Sequence, residues 1–322
     1  MSAPSHLDPR LLRAFVTVAE ELHFTRAAVR LYVAQQALSR DVRRLERELG
    51  SDLFVRSTRQ VTLTADGERL LPYARAVLQA QEDLLAAAGR TRPLLVDLNS
   101  PGLETPRRVL HRARELASGH ELMARYESGL TGAAGELLAG RLDASFGRFA
   151  GLAPALRSGL DHQPVRHEPM AIVLPEDHRL APLPEVPLAE LAGETVYAGA
   201  GNPRTPEWTD LARQLFQGRG ITLAPPAPLA IGEEEFQRIM ARTRHPILAV
   251  VDFPPLPSMV LRPLVDPVPL SPVSLVWRRG LVHPALDGLR RAAALVGAEE
   301  GWLRVPVDGW IPASDSVVMA SP

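Results

Sequence analysis

The 322-residue chain contains no cysteine, and all 36 of its Lys-plus-Arg residues are arginine. Without cysteine there is no disulfide framework, no thiolate metal site and no thiol nucleophile. The missing lysine carries no functional weight. No stretch approaches the roughly 18 uninterrupted apolar residues of a membrane span, and MSAPSHLDPRLLRAF lacks the basic-then-apolar run of a signal peptide. The expectation is a soluble cytoplasmic protein with no membrane partner. Catalytic signatures are absent as well: there is no G-x-S-x-G, P-loop or H-E-x-x-H. Gly199-x-Gly201 lacks a third glycine, and His162 and His167 are poorly spaced for one metal. We expect no catalytic residues, no metal and no cofactor.

Charge is more informative by position than in sum. The net charge is −1, but residues 1–64 hold 10 Arg against 7 Asp and Glu, a net +3, which leaves −4 for the rest. A basic head on an acidic body suits a nucleic-acid module joined to a domain with another partner.

Residues 22–67 read LHFTRAAVRLYVAQQALSRDVRRLERELGSDLFVRSTRQVTLTADG. Thr25 is placed as an N-cap, and Ala27, Ala28 and Leu31 form the apolar face of a short helix. Tyr32-Val33-Ala34 makes a turn. A longer helix follows over about 35–48 and stops at Gly50. In it Leu38, Val42, Leu45 and Leu49 repeat at i, i+4, i+7 and i+11, one buried stripe. Gln36, Ser39, Arg40, Arg43 and Arg47 occupy the other face. Arg pairs bidentately with guanine and Gln with adenine, and a helix fits the major groove. Such a face can also be a solvated one laced by i,i+4 ion pairs, and Asp41, Glu46 and Glu48 stand beside Arg40, Arg43 and Arg44. The order of parts favours DNA. Residues 53–64 follow as a β-wing, with Arg56 and Arg59 placed to touch phosphates.

The run FTRAAVRLYVAQQALSRDVRRLERELGSDLFVRSTRQVTLTADGERLLPYA resembles the winged helix-turn-helix of LysR-type transcriptional regulators, specifically over roughly residues 7–90 and more loosely to about 296. The resemblance implies that Thr25, Gln35, Gln36, Ser39, Arg40, Arg43, Arg56 and Arg59 contact DNA, with Gln35, Gln36, Ser39 and Arg40 reading bases. It also implies an inverted-repeat operator, assembly as a dimer or tetramer, a small-molecule effector and contact with RNA polymerase. Two residues depart from the pattern. Ala34 stands where the family carries a Ser or Thr cap, a loss of about 0.5–2 kcal/mol. Gln36 replaces the usual Pro and adds a reading group.

Thr64 caps a long helix, 65–90 with its exit, in which Leu71, Ala74, Leu78 and Leu85 fall at heptad spacing and are expected to form the dimer seam, as the resemblance implies. Packing of that seam against its own domain is the alternative. Gly89-Arg90-Thr91-Arg92-Pro93 reads as a hinge. Beyond it, strands and helices alternate, entered by a helix at Thr105-Pro106, which implies an α/β domain with a parallel sheet. The expected organisation is a winged helix-turn-helix head (1–64), a linker helix (65–90), and a two-lobed regulatory domain resembling periplasmic binding proteins (91–300). Lobe I covers about 93–162 and 264–300, and lobe II about 163–263. Residues 301–322 are expected to be a mobile extension.

Ligands in such sheets bind beyond the carboxyl ends of the strands, where helix N-termini favour anions. The loops there offer Asn99, Ser100, Leu130, Thr131, Phe146, Arg148, Gly199, Ala200, Asn202 and Ile231 as effector-binding candidates, although Gly, Ser and Asn populate any such loop. Where the family has a glycine-rich stretch, this chain has Arg244, His245 and Pro246, so one wall of the cleft is expected to be reshaped or partly closed. The function expected is a LysR-type regulator, not an enzyme. The alternatives are a regulator with a lost or protein-type effector, and a solute-binding protein or enzyme on the same two-lobed fold.

Overall fold

The computed structural model describes residues 7–56, 61–87, 92–116, 119–127, 129–227 and 233–320. The chain divides into two compact units, Met1–Thr91 and Arg92–Pro322.

In the first unit α1 (Pro9–Glu21) starts at Asp8, whose side chain accepts from the Arg10 amide at 2.8 Å. Then follow α2 (Phe24–Arg30), α3 (Gln35–Leu49), the antiparallel wing strands β1 (Phe54–Arg56) and β2 (Val61–Leu63), and α4 (Ala65–Ala87). Leu11, Phe15, Val18, Ala27, Leu38, Val42, Leu45 and Leu53 close one core. The Phe15 and Phe54 rings meet edge to face at 5.6 Å. Glu46, buried, reaches back from α3 to accept from the Leu53 and Phe54 amides at 3.1 and 3.3 Å, which sets the wing on the helix. Thr64 caps α4 by accepting from the Gly67 amide at 2.9 Å. Gly67 is required by close approach: a Cβ there would lie 2.2 Å from the Leu53 carbonyl oxygen.

The second unit begins with β3 (Leu94–Asp97), α5 (Glu104–Leu116), β4 (Leu122–Arg125), α6 (Leu130–Leu138), β5 (Ala144–Gly147) and α7 (Pro154–Arg157). β4, β3 and β5 are parallel, as alternating strands and helices require. Next comes β6 (Leu160–Pro175), a 16-residue strand that serves both lobes. β7 (Val186–Pro187), β8 (Thr195–Val196), α8 (Pro206–Phe216), β9 (Thr222–Leu223), α9 (Glu233–Thr243), β10 (Ile247–Val250) and β11 (Met259–Val265) build lobe II. The chain returns through β12 (Val268–Arg278) and α10 (Pro284–Glu300), then adds β13 (Gly309–Trp310) and α11 (Ala313–Met319).

β6 pairs with β12 from Leu160 to Pro169, then with β10 and β11 from Met170 onward. The first lobe therefore extends to Pro169, several residues beyond the boundary expected near 163. Each lobe has its own core, around Leu94, Phe146 and Leu289 in lobe I and around Met170, Leu211 and Leu264 in lobe II.

Residues 301–320 correct the expectation of a mobile extension. Trp302 is buried in the lobe I core, and its carbonyl accepts from the His167 amide at 2.9 Å. β13 pairs in parallel with β12, and Trp310 packs on the lobe II core. α11 returns to lobe I, where Val318 packs beside Leu130 and Leu137. Two tryptophans and a valine supply the apolar anchors that the flanking Pro, Gly and Ser residues obscure.

Candidate functional site

The surface expected to read DNA starts at an uncapped helix. Ala34, at the N-cap of α3, makes no side-chain cap, as its methyl group dictates. The first turn therefore presents its amides outward together with exposed Gln35 and Gln36. Ser39 is half-buried; Arg40 and Arg43 are exposed. The acids of α3 do not neutralise them. Asp41 pairs with Arg10 at 2.7 Å, Glu48 with Arg44 at 2.8 Å, and Glu46 is turned inward to the wing. Among the described residues Arg40 and Arg43 enter no ion pair.

Thr25 is exposed but is not the cap of α2. That place belongs to His23, whose Nδ1 accepts from the Thr25 and Arg26 amides at 3.1 and 3.4 Å. The helix begins two residues earlier than expected, because an imidazole nitrogen takes the role usually given to a hydroxyl or carboxylate. Arg59 and the side chain of Arg56 lie outside the described residues.

The expected dimer seam on α4 is corrected in most of its members. Ala74 is buried in the core of its own unit, and Leu71 and Leu78 pack against it. Leu85 is exposed, as are Tyr73, Val77, Ala80 and Leu84. Residues 73, 77, 80 and 84 repeat at i, i+4, i+7 and i+11, so α4 carries two apolar stripes, and only one is used within the unit.

In the second unit the strand ends of lobe I are tied by Asp97. Its buried carboxylate accepts from the Asn99 and Glu127 amides at 2.9 and 2.8 Å and from the Ser145 hydroxyl at 2.7 Å; burial pushes its pKa up. Asn99, at φ 60°, donates to the Phe146 carbonyl at 2.7 Å and accepts from the Gly129 amide at 3.2 Å. Both polar atoms of its side chain are thus used to organise the loops. Phe146 is wholly buried in the lobe I core and Leu130 is 1% exposed, so neither side chain lines an open cleft. Ser100 is exposed. Asn202 accepts from the Arg204 amide at 3.0 Å, while Gly199 (φ 67°) and Ala200 complete the same turn. Ile231 lies outside the described residues.

The remaining two candidates, Thr131 and Arg148, both belong to lobe I and face α8 of lobe II, where groups of the chain itself, from α8 and α11, already satisfy them. Glu207 accepts from the Leu130 and Thr131 amides at 3.0 and 3.4 Å and from the Thr131 hydroxyl at 2.6 Å. A carboxylate thus sits at the N-terminus of α6, where the macrodipole favours it. Burial pushes the Glu207 pKa up, and these donors pull it back. Arg148 donates from Nη1 to Asp210 at 2.7 Å and to the Glu207 carbonyl at 3.1 Å, and from Nε and Nη2 to Asp315 at 2.8 to 3.1 Å. Gly129 (φ 126°) permits the approach: a Cβ there would lie 2.4 Å from the Arg204 carbonyl oxygen, which also accepts from the Gly132 amide at 3.1 Å. Cavities of about 830 and 270 Å³ open beside His162 and Trp277 and beside Asp177 and Arg244; neither is lined by Thr131, Arg148 or Glu207.

The expected reshaping of the cleft by Arg244, His245 and Pro246 is also corrected. These residues precede β10, whose first residue, Ile247, pairs with Val173 toward the outer end of β6. Arg244 pairs with Asp177 there. The junction lies at the other end of β10, by Val250 and Met170, and α8 closes it. Glu207, Asp210 and Asp315 were missed from the sequence. An acid in the first turn of a helix reads as a response to the dipole alone, and Asp315 lies 167 residues from its partner.

Comparison with known proteins places both units. Residues 9–68 match the family model described as bacterial regulatory helix-turn-helix protein, lysR family, and residues 123–295 match the LysR substrate binding domain. The regulator ShiR of Corynebacterium glutamicum is 34% identical over 251 residues, covering 76% of this chain and 79% of that protein. A full-length OxyR from Pseudomonas aeruginosa superposes with a TM-score of 0.64 at 24% identity, over 91% of this chain and 96% of that one. CbnR in complex with its target DNA superposes at 0.59 and 21% identity, over 90% and 99%. Among the described residues no helix is long and apolar enough to cross a membrane. With a helix-turn-helix head and a substrate-binding domain that spans more than half of its length, the chain belongs to the LysR family of DNA-binding transcriptional regulators.

Proposed function

We propose that this regulator reads an inverted-repeat operator with α3 and works in the cytoplasm as a homo-oligomer that contacts RNA polymerase. The observation that carries the reading is the division of charge on α3. Asp41, Glu46 and Glu48 are each engaged elsewhere, which leaves Arg40 and Arg43 with Gln35, Gln36 and Ser39 on one exposed face. Arg40 and the two glutamines suit base edges; Arg43, Arg56, Arg59 and Thr25 suit phosphates. The unused stripe of α4, Tyr73, Val77, Ala80 and Leu84, supplies the dimer seam. CbnR, whose solved complex holds its target DNA, supports the DNA reading by its shared fold. Footprinting on the DNA upstream of its own gene tests it: protection of two half-sites is expected, and uniform low-affinity binding would overturn it.

The effector we propose is a small carboxylate-bearing molecule that competes with Glu207 for the Leu130 and Thr131 donors; no cofactor and no catalytic chemistry enter the proposal. One observation favours a second reading, a regulator with no small-molecule effector: the groups suited to an anion are satisfied by the chain's own carboxylates. Thermal stability titrated with a panel of mono- and dicarboxylates separates the two. A shift that grows in Glu207→Gln and shrinks in Thr131→Ala supports the effector. No shift in any of the three supports the second reading.

A further inference from the structure

The C-terminal segment does more than cover the surface. It leaves α10 at Gly301, sends Trp302 into the lobe I core, crosses to set Trp310 on the lobe II core, and returns to lay α11 on lobe I. Arg108 and Arg166 lie over the Trp302 ring at 5.5 and 5.0 Å, and Arg219 over Trp310 at 5.9 Å, so each lobe grips one tryptophan. The family match ends at residue 295, before this segment begins.

Asp315 is the segment's polar anchor. It is 1% exposed, and Arg148 is 5% exposed. A buried carboxylate and a buried guanidinium must satisfy one another, because an uncompensated charge there is strongly unfavourable. Asp315 takes Nε and Nη2 in a fork, and Ser314 donates to its Oδ2 at 3.1 Å. This fixes the plane of the guanidinium and leaves Nη1 turned to lobe II, where it meets Asp210 and the Glu207 carbonyl.

We infer that residues 301–320 are a tethered clasp whose Asp315 positions Arg148 to hold the two lobes of the regulatory domain together. The surface it occupies is the lobe I face around Arg148, and its partner is the chain's own tail. Any ligand that opens or closes the junction works against this clasp, so the tail sets how readily the lobes part. The inference holds whether or not a small carboxylate is the effector, because it concerns the tail and not the Glu207 position.

Amide hydrogen exchange on the full-length protein tests it, with no ligand added. Two variants are compared with the parent: Asp315→Asn, which keeps the shape and removes the charge, and a chain ending at Arg304, which keeps Trp302. Exchange at the starts of α6 and α8 should rise about tenfold or more in both, since local opening sets protection there. Exchange in the lobe cores and in the first unit should stay the same. If exchange at these two helix starts is unchanged in Asp315→Asn, the clasp is refuted. If it rises equally throughout both lobe cores, Asp315 is a general element of stability and the inference is equally overturned. Should the shortened chain fail to fold, Asp315→Asn alone decides.

Discussion

Glu207 and Thr131 begin two helices in different lobes, and the carboxylate of the first closes the start of the second: its Oε2 accepts from the Thr131 hydroxyl at 2.6 Å while Oε1 accepts from the amides at the start of α6. The contact ties the two lobes through three hydrogen bonds to a single buried carboxylate. It also gives the regulatory domain an internal counterpart of the anion its helix end would otherwise attract.

On DNA, Arg40→Ala should cost about 1–3 kcal/mol at the operator and relax preference at one base position. Arg43→Ala should weaken specific and non-specific DNA alike and lower the salt slope by about one. Gel-shift titrations over operator variants and salt concentrations check both. Unchanged operator affinity in Arg40→Ala would remove α3 from the major groove.

For assembly, Val77→Asp and Leu84→Asp should yield monomers by sedimentation while the first unit melts at its usual temperature. Leu78→Asp should behave differently. Leu78 packs on the core of its own unit, so the new charge should lower that unit's melting temperature before it affects assembly. Equal effects of Val77→Asp and Leu78→Asp on unfolding would show that the two stripes are not separate.

His23→Ala should destabilise the first unit by about 0.5–2 kcal/mol, the usual cost of a lost N-cap. Thr25→Ala should leave stability nearly unchanged and affect only DNA affinity. Urea denaturation of both variants distinguishes the cap from the contact.

Burial pushes up the carboxyl pKa of Glu168, which accepts from the Thr105 hydroxyl. A carboxyl raised above its unfolded value of about 4.3 binds its proton more tightly in the folded protein. Its contribution to stability is therefore complete below that pH and is lost as pH rises through the folded value. Melting curves from mildly acidic to neutral pH should fall less steeply for Glu168→Gln than for the parent. Parallel curves would mean that Glu168 keeps an ordinary pKa.

What was legible in the sequence follows the range of the interactions. The α3 stripe of Leu38, Val42 and Leu45 and the uncapped Ala34 are local, and both appear as expected. The parallel order of β4, β3 and β5 follows from alternation along the chain. The α4 seam was misassigned because Leu71, Ala74 and Leu78 repeat as regularly as Tyr73, Val77, Ala80 and Leu84, and periodicity does not say which stripe meets α1. The helix expected to be entered at Thr105-Pro106 starts at Glu104, so Thr105 lies within α5 and its hydroxyl is drawn to Glu168. Arg148 was read as an effector-binding candidate, yet the structure pairs it with Asp210 of α8 and Asp315 of α11, which no local pattern connects.

β6 pairs with β12 up to Pro169 and with β10 and β11 from Met170, which makes it a common ruler for both lobes. Side chains alternate faces along a strand, so a single-residue deletion between Arg166 and Met170 would invert every β6 side chain in one lobe relative to the other. Ile172 and Leu174 would leave the lobe II core, and their neighbours would enter it. The spacing between the two halves of β6 therefore fixes which face of the strand each lobe receives, a constraint on chain length that the loops flanking it do not share.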